Sequence, residues 1–445
     1  MSVLSCAICV QTQSSPESAL SEYKNASAKT RAFMENHYIH TFENGLRLIH
    51  REVPHTNIAH CGIMLDIGSR DEQLEQQGIA HFWEHMAFKG TEKRRAFHVI
   101  NRLETVGGDL NAYTTKEKIC FHASLLSAHF EKAVDLLTDI TFNSSFPERE
   151  IKKERSVILE EMAMYEDDPA DAIQDDFDAL LFGEHPLGRN ILGTRDSVTR
   201  FGKSDFQKFI SGHLNTSRAV ISSVSNWPFS KVLRVVRKYV EGIPAQSNPL
   251  HREPFAGKPL ESQEKSRSIS QAHCILGGIA YPLLDEKRLP FAMLMNLLGG
   301  PGMNARLNMA IRERNGLAYS IFAHYAAFLD TGMFAIQFAS EPQALQRCLD
   351  LTRKELKKLR ERPLGKVQLH TAKQQFMGQI AMAEESNLNM MLGLAKSLLD
   401  TQKIDSLEEV FHKIERTTAA DLQEMAHEVL GEDRLSQLTF LPNGE

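Results

Sequence analysis

The chain carries one pattern twice. Residues 97–140 show apolar positions at helical spacing (Phe97, Ile100, Leu103, Val106), a stop at Gly107–Gly108, a strand pair in "DLNAYTTKEKICFHASLL", then a helix from Ala128 to Ile140. In the second half, "NMAIRERNGLAYSIFAHYAAFLDTGMFAIQFAS" gives a helix, Gly316 and strands, and "EPQALQRCLDLTRKELKKL" gives the helix that follows. The two stretches share pattern rather than identity, at a period near half the chain, which marks an internal duplication. At 445 residues the chain also exceeds one ordinary core. Strands followed by helices without strict alternation favour an α+β class over a doubly wound sheet. The expected architecture is two homologous domains, each a mainly antiparallel sheet covered by helices. Upstream, "IHTFENGLRLIHREVPHTNIAHCGIMLDIGSRDE" reads as strands around an Asn44–Gly45 turn, ending near Gly68. Between the halves, residues 241–270 are rich in Pro, Ser and charge and lack periodicity. The expected divisions are a mobile tail at 1–35, a first domain at 36–242, a linker at 243–264 and a second domain at 265–445.

Charge and composition narrow the function classes. A net charge of -6 implies neither nucleic acid nor an acidic membrane surface as partner. No apolar run approaches the roughly 18 residues of a membrane span. "MSVLSCAICV" is short, lacks a positive leader and makes a poor secretory signal. The six cysteines are scattered, and Cys6 and Cys9 form a lone Cys-x-x-Cys without a second pair. A cytoplasmic location with reduced thiols is the expectation.

The chemistry concentrates in "GIAHFWEHMAFKG", residues 78–90. In a helix His81 and His85 lie one above the other and can direct both imidazoles at one ion. Glu84 lies near the same face and can reach a water on the metal. Two imidazoles need a third ligand, and a hydrolytic zinc site keeps its fourth position for water. The order His-x-x-Glu-His is that of the inverted zinc-peptidase motif. On these residues alone, an amphipathic helix that happens to carry two histidines remains open.

The flanks add to the motif. "GIAHFWEHMAFKGT", then "GGDLNAYTTKE", then "ERSVILEEMAMYEDDP", "FGEHPLGRNILGT" (182–194) and "LLGGPGMNARLNMAIRERNGLAYS" (297–320) resemble, in order, the pitrilysin/insulinase family of zinc peptidases, which includes mitochondrial processing peptidase. The resemblance extends over nearly all of the chain after about residue 38. It implies the processing-peptidase fold, one zinc per chain, and zinc-dependent endopeptidase activity on peptides or unfolded segments in a closed chamber. The implied third ligand is a glutamate some 76 residues past the second histidine, Glu161, with Glu154 supporting the site without binding the metal. Positions 154, 158 and 161 share one helical face, whereas Glu160 is turned about 100° away. Glu148, Glu150, Glu160 and Glu166 read as a solvated face. Glu84 then acts as general base on the water that zinc activates, and passes the proton to the leaving amine.

By the same resemblance, "GGDLNAYTT" is an edge strand on which an extended peptide pairs, lined by Asn111, Ala112 and Tyr113. Arg312 and Tyr319, seven apart, match an arginine–tyrosine pair that contacts the substrate backbone near zinc, and both can donate to a carbonyl oxygen gaining charge. In short family members the zinc motif and this pair are often divided between subunits. Both occur in this chain, which suggests a homodimer in which one copy's metal site faces the other's Arg312 and Tyr319; a heterodimer is the variant. "LLGGPGMNAR" lacks the Lys-Ser/Thr ending of a phosphate loop and resembles the family's substrate-admitting loop. A catalytically silent scaffold of the same fold is the alternative, and a short metal lyase with the inverted motif would leave the second half unexplained.

Overall fold

A computed structural model describes residues 37–443. The expected tail and the Cys6–Cys9 pair lie outside the described residues. Two sheets carry the architecture. The first comprises β1 (His37–Thr41), β2 (Arg47–Glu52), β3 (Ile58–Leu65), β4 (Asp109–Thr114), β5 (Ile119–Leu126) and β6 (Ala219–Ser225), in the order β1-β2-β6-β3-β5-β4. The second comprises β7 (Ser262–Arg267), β8 (Ala272–Ala280), β9 (Ala318–Ala327), β10 (Gly332–Ser340) and β11 (Ser436–Pro442), in the order β7-β11-β8-β10-β9. Without β1 the two orders coincide. In each, one pair is parallel (β2 with β6, β11 with β7) and the rest antiparallel. The duplication read from residues 97–140 is therefore a repeat of a whole sheet, and the sheets are mixed rather than purely antiparallel. The parallel pair arises because β6 and β11 return only after a long helical crossover.

Strand alternation assigns the two faces. Ala59, Cys61, Ile63 and Leu65 of β3 join Trp83, Phe121 and Phe130 in a core under the helices Ile79–Ala87 and Phe130–Phe142. Met64, Cys120, Ile49 and Val220 face the other way, onto Met391, Leu394 and Leu398 of the helix Asn387–Asp400. That helix belongs to the second half of the chain. Reciprocally, Ile173, Phe177 and Leu181 of the helix Pro169–Phe182 pack on Ile275, Met333 and Phe440 of the second sheet. Each sheet thus has one face closed by a helix from the other half.

Two stretches carry structure that spacing and composition alone do not show. In the helix Ala96–Glu104 the buried positions are Val99 and Leu103, whereas Phe97 is 70% exposed and Ile100 39%. The helix seats through one narrow i,i+4 edge, so periodicity overstated its buried face. The connection at 243–264 is not a loose tether. The Arg252 guanidinium within it, 3% exposed, pairs with both oxygens of Asp71 at 2.8 Å, and with Asp66 at 3.0 Å. Its last residues already belong to β7, from Ser262. Arg70 extends the same cluster to Glu117 at 2.7 Å and to Asp330 of the second half at 2.5 Å.

Candidate metal centre

The helix Ile79–Ala87 is held at its first turn. Gly78 takes a positive φ of +89°, and a side chain there would meet the Leu192 carbonyl oxygen at 2.3 Å. Gly193 packs back against it, 2.2 Å being left between its missing Cβ and the Gln77 oxygen. The Glu72 carboxylate, almost fully buried, accepts the amides of Gly78 at 2.9 Å and Ala80 at 2.8 Å. These are donors that a helix start leaves unpaired. Ile79, Phe82, Trp83 and Met86 are fully buried. That leaves the face with His81, Glu84 and His85 for the long helix Glu148–Asp167.

On that helix Glu154 is buried and Glu161 half-buried, on the side of Ile158, while Glu160 is exposed. Of the two neighbours, it is Glu161 that this rotation turns towards the histidines. Glu161 Oε2 lies 3.7 Å from His81 Nε2 and 3.3 Å from His85 Nε2. One ligand atom from each of the three falls within 4.8 Å of the others, and the two rings are 4.6 Å apart. His85 Nδ1 donates to Glu154 Oε1 at 3.1 Å, which aims its Nε2 at Glu161. Glu154 is in turn paired with Lys89 at 2.7 Å. Glu84 stands beside the cluster with Oε2 accepting from the Thr114 hydroxyl at 2.6 Å.

Protonation follows from these contacts. Burial and the neighbouring His85 push His81 down to about 4, Glu161 opposing, so its imidazole is neutral. Burial also works against protonated His85, but Glu154 and Glu161 outweigh it and hold it up at about 9. A metal taken up here therefore competes with a proton on His85. Burial raises Glu84 despite the Thr114 hydrogen bond. Glu161 Oε2 is buried and makes no well-aligned hydrogen bond, its nearest donor being His85 Nε2 at 3.3 Å, and a cation held between it and the imidazoles would satisfy it. Two imidazoles and one carboxylate form the donor set of hydrolytic zinc sites, so the residues fit that ion.

The other expected residues are placed as follows. Asn111, Ala112 and Tyr113 lie on β4, which is an edge strand of its sheet. Tyr113 and Ala112 point to opposite faces, Tyr113 to the core closed by the helix Asn387–Asp400, Ala112 to the helix layer. The strand's free edge is therefore backbone. Arg312 and Tyr319 meet each other, guanidinium 5.1 Å from ring centroid, and Tyr319 is 83% exposed. Among the described residues no hydrogen bond or ion pair joins them to His81, Glu84, His85 or Glu161. Arg312 lies in a π-helical turn, Asn308–Glu313, and Tyr319 on β9, the edge of the second sheet. Thr114, Lys89 and Glu72 escaped the sequence reading, although β4 alternation places Thr114 on the helix side with Ala112.

Residues 47–195 match the family described as Insulinase (Peptidase family M16), and residues 200–376 match Peptidase M16 inactive domain. An uncharacterized zinc protease of Streptomyces coelicolor is 33% identical over 404 residues, 88% of this chain and 86% of that protein. One from Bacillus subtilis is 31% identical over 397 residues, 88% of this chain and 96% of that protein. A protease from Helicobacter pylori superposes with a TM-score of 0.83 at 20% identity, over 92% of this chain and 99% of its own. The peptidase M16 inactive domain from Pseudomonas fluorescens gives 0.85 at 17%, over 92% and 99%. These two likenesses establish the fold. No helix among the described residues is long and apolar enough to cross a membrane.

Proposed function

The chain belongs to the insulinase family of peptidases, M16, and we propose that it is a zinc-dependent metalloendopeptidase acting on peptides or unfolded segments in a closed chamber. The observation that carries this reading is the convergence of His81 Nε2, His85 Nε2 and Glu161 Oε2 beside Glu84. These three residues would hold one zinc per chain, which supplies Lewis acidity to polarise a carbonyl and acidify a water. Glu84 takes the proton from the attacking water, its other oxygen fixed by Thr114, and returns it to the leaving amine. Burial makes it a stronger base than a surface carboxylate. Glu154 and Lys89 keep His85 oriented. The β4 edge pairs the substrate by its backbone, so affinity tolerates many sequences. The cytoplasmic assignment rests on the four described cysteines, all free and buried.

The expected result is about one zinc per chain and cleavage of a quenched peptide that stops with chelator and returns with zinc. Zinc-free protein without turnover would replace this reading with a silent scaffold.

Arg312 and Tyr319 join the reading through a second copy of the chain. Tyr319 is exposed and Arg312 partly so, both on the second half, and among the described residues no hydrogen bond or ion pair ties them to the metal residues, as expected if they serve a partner's site. Mixing an Arg312→Ala chain with a Glu84→Gln chain should restore part of the activity each lacks, since one mixed site is then intact. No recovery in a mixture shown to exchange subunits rules out the shared site.

A further inference from the structure

A polar cavity lies in the second half of the chain. It has a volume of about 400 Å³ and opens between the loop at Asn304, the π-helical turn and the helix Leu345–Glu361. Four lining side chains are cations (Arg306, Arg314, Lys358, Arg362), against one carboxylate, Glu355. That carboxylate is already engaged, with Lys358 Nζ at 2.5 Å, and Arg306 approaches it only to 4.0 Å. The Arg306 side chain is 19% exposed, yet among the described residues no hydrogen bond takes any of its donors. No ion pair occupies Arg314 or Arg362 among the described residues either.

A guanidinium drawn out of water normally spends its fork of donors on a carboxylate or phosphate. Here the fork is unspent and opens on a cavity rimmed by further positive charge. Met309 and Pro363 are the apolar lining, and no aromatic ring is present to stack on a base. The occupant is therefore small, hydrophilic and carries several negative charges. We propose that this cavity binds a compact multivalent oxyanion of the phosphate or pyrophosphate class, with the partly buried Arg306 as the anchor and Arg314, Lys358 and Arg362 as the rim. The volume lies within the ordinary range of small-ligand sites.

Calorimetric titration of the full chain with pyrophosphate tests this. Saturable binding is expected, weakening with added salt. Arg306→Gln should weaken it roughly tenfold or more, as the loss of charge-assisted hydrogen bonds requires. The double variant Arg314→Ser/Arg362→Ser changes exposed positions only and should weaken binding similarly. Because pyrophosphate also coordinates zinc, the titration is repeated with His81→Ala, in which binding should persist. Absence of saturable binding overturns the proposal. So does binding unchanged in the double variant, or binding lost in His81→Ala.

Discussion

Replacing Glu84 with glutamine should leave a folded, zinc-loaded protein whose peptide turnover falls by roughly 10²–10⁴-fold, the contribution of a positioned general base. The substitution keeps size and shape. Glutamine can still accept from the Thr114 hydroxyl, so the contact at 2.6 Å survives in kind. What it cannot do is take a proton. His81, His85 and Glu161 are untouched, and zinc content by atomic absorption should stay at the wild-type level. Thr114→Val acts more mildly, because the carboxylate remains a base but loses the contact that fixes its orientation. Appreciable turnover in Glu84→Gln would remove Glu84 as the base, and loss of zinc would make it a ligand.

Arg252→Ala should cost about 3–5 kcal/mol of stability, the range for breaking a buried charge cluster by removing one partner. The Arg252 guanidinium makes a bidentate pair with Asp71, reaches Asp66, and donates to the Glu117 carbonyl at 3.0 Å. Its removal leaves Asp71, 3% exposed, without its countercharge. A lower urea midpoint at unchanged slope measures the effect. Arg195→Ala is the control, since its pair with Glu166 is exposed on both sides and should leave the midpoint in place. A midpoint for Arg252→Ala equal to that control would show the cluster to be energetically idle.

Periodicity and punctuation made the repeat legible, because local strand and turn signals recur in both halves, whereas the strand order rests on long-range pairings that no local signal carries. The histidine spacing placed two metal-facing imidazoles, and family likeness singled out Glu161 among its neighbours. Phe97 and Ile100 show the limit of periodicity: an apolar stripe says which face could be buried, while the neighbours decide how much of it is. Arg252 shows a second limit. It stands in a stretch whose composition reads as a tether, and its partners Asp66, Asp71 and Glu117 lie more than a hundred residues upstream. Nothing local in the chain announces such a contact. Thr114 and Lys89 were hidden for the same reason, each touching its partner across elements.

The exchanged helices set a condition on synthesis. The first sheet is complete in the chain by Ser225, but the helix that closes its second face begins at Asn387. Until that segment has left the ribosome, Met64, Cys120 and Val220 are wetted, and Ser222 lacks the Met391 carbonyl it donates to at 2.7 Å. The two halves therefore cannot mature in turn as independent domains do. Closure joins residues as far apart as Arg47 and Leu398, so the second face of the first sheet can be covered only late in synthesis.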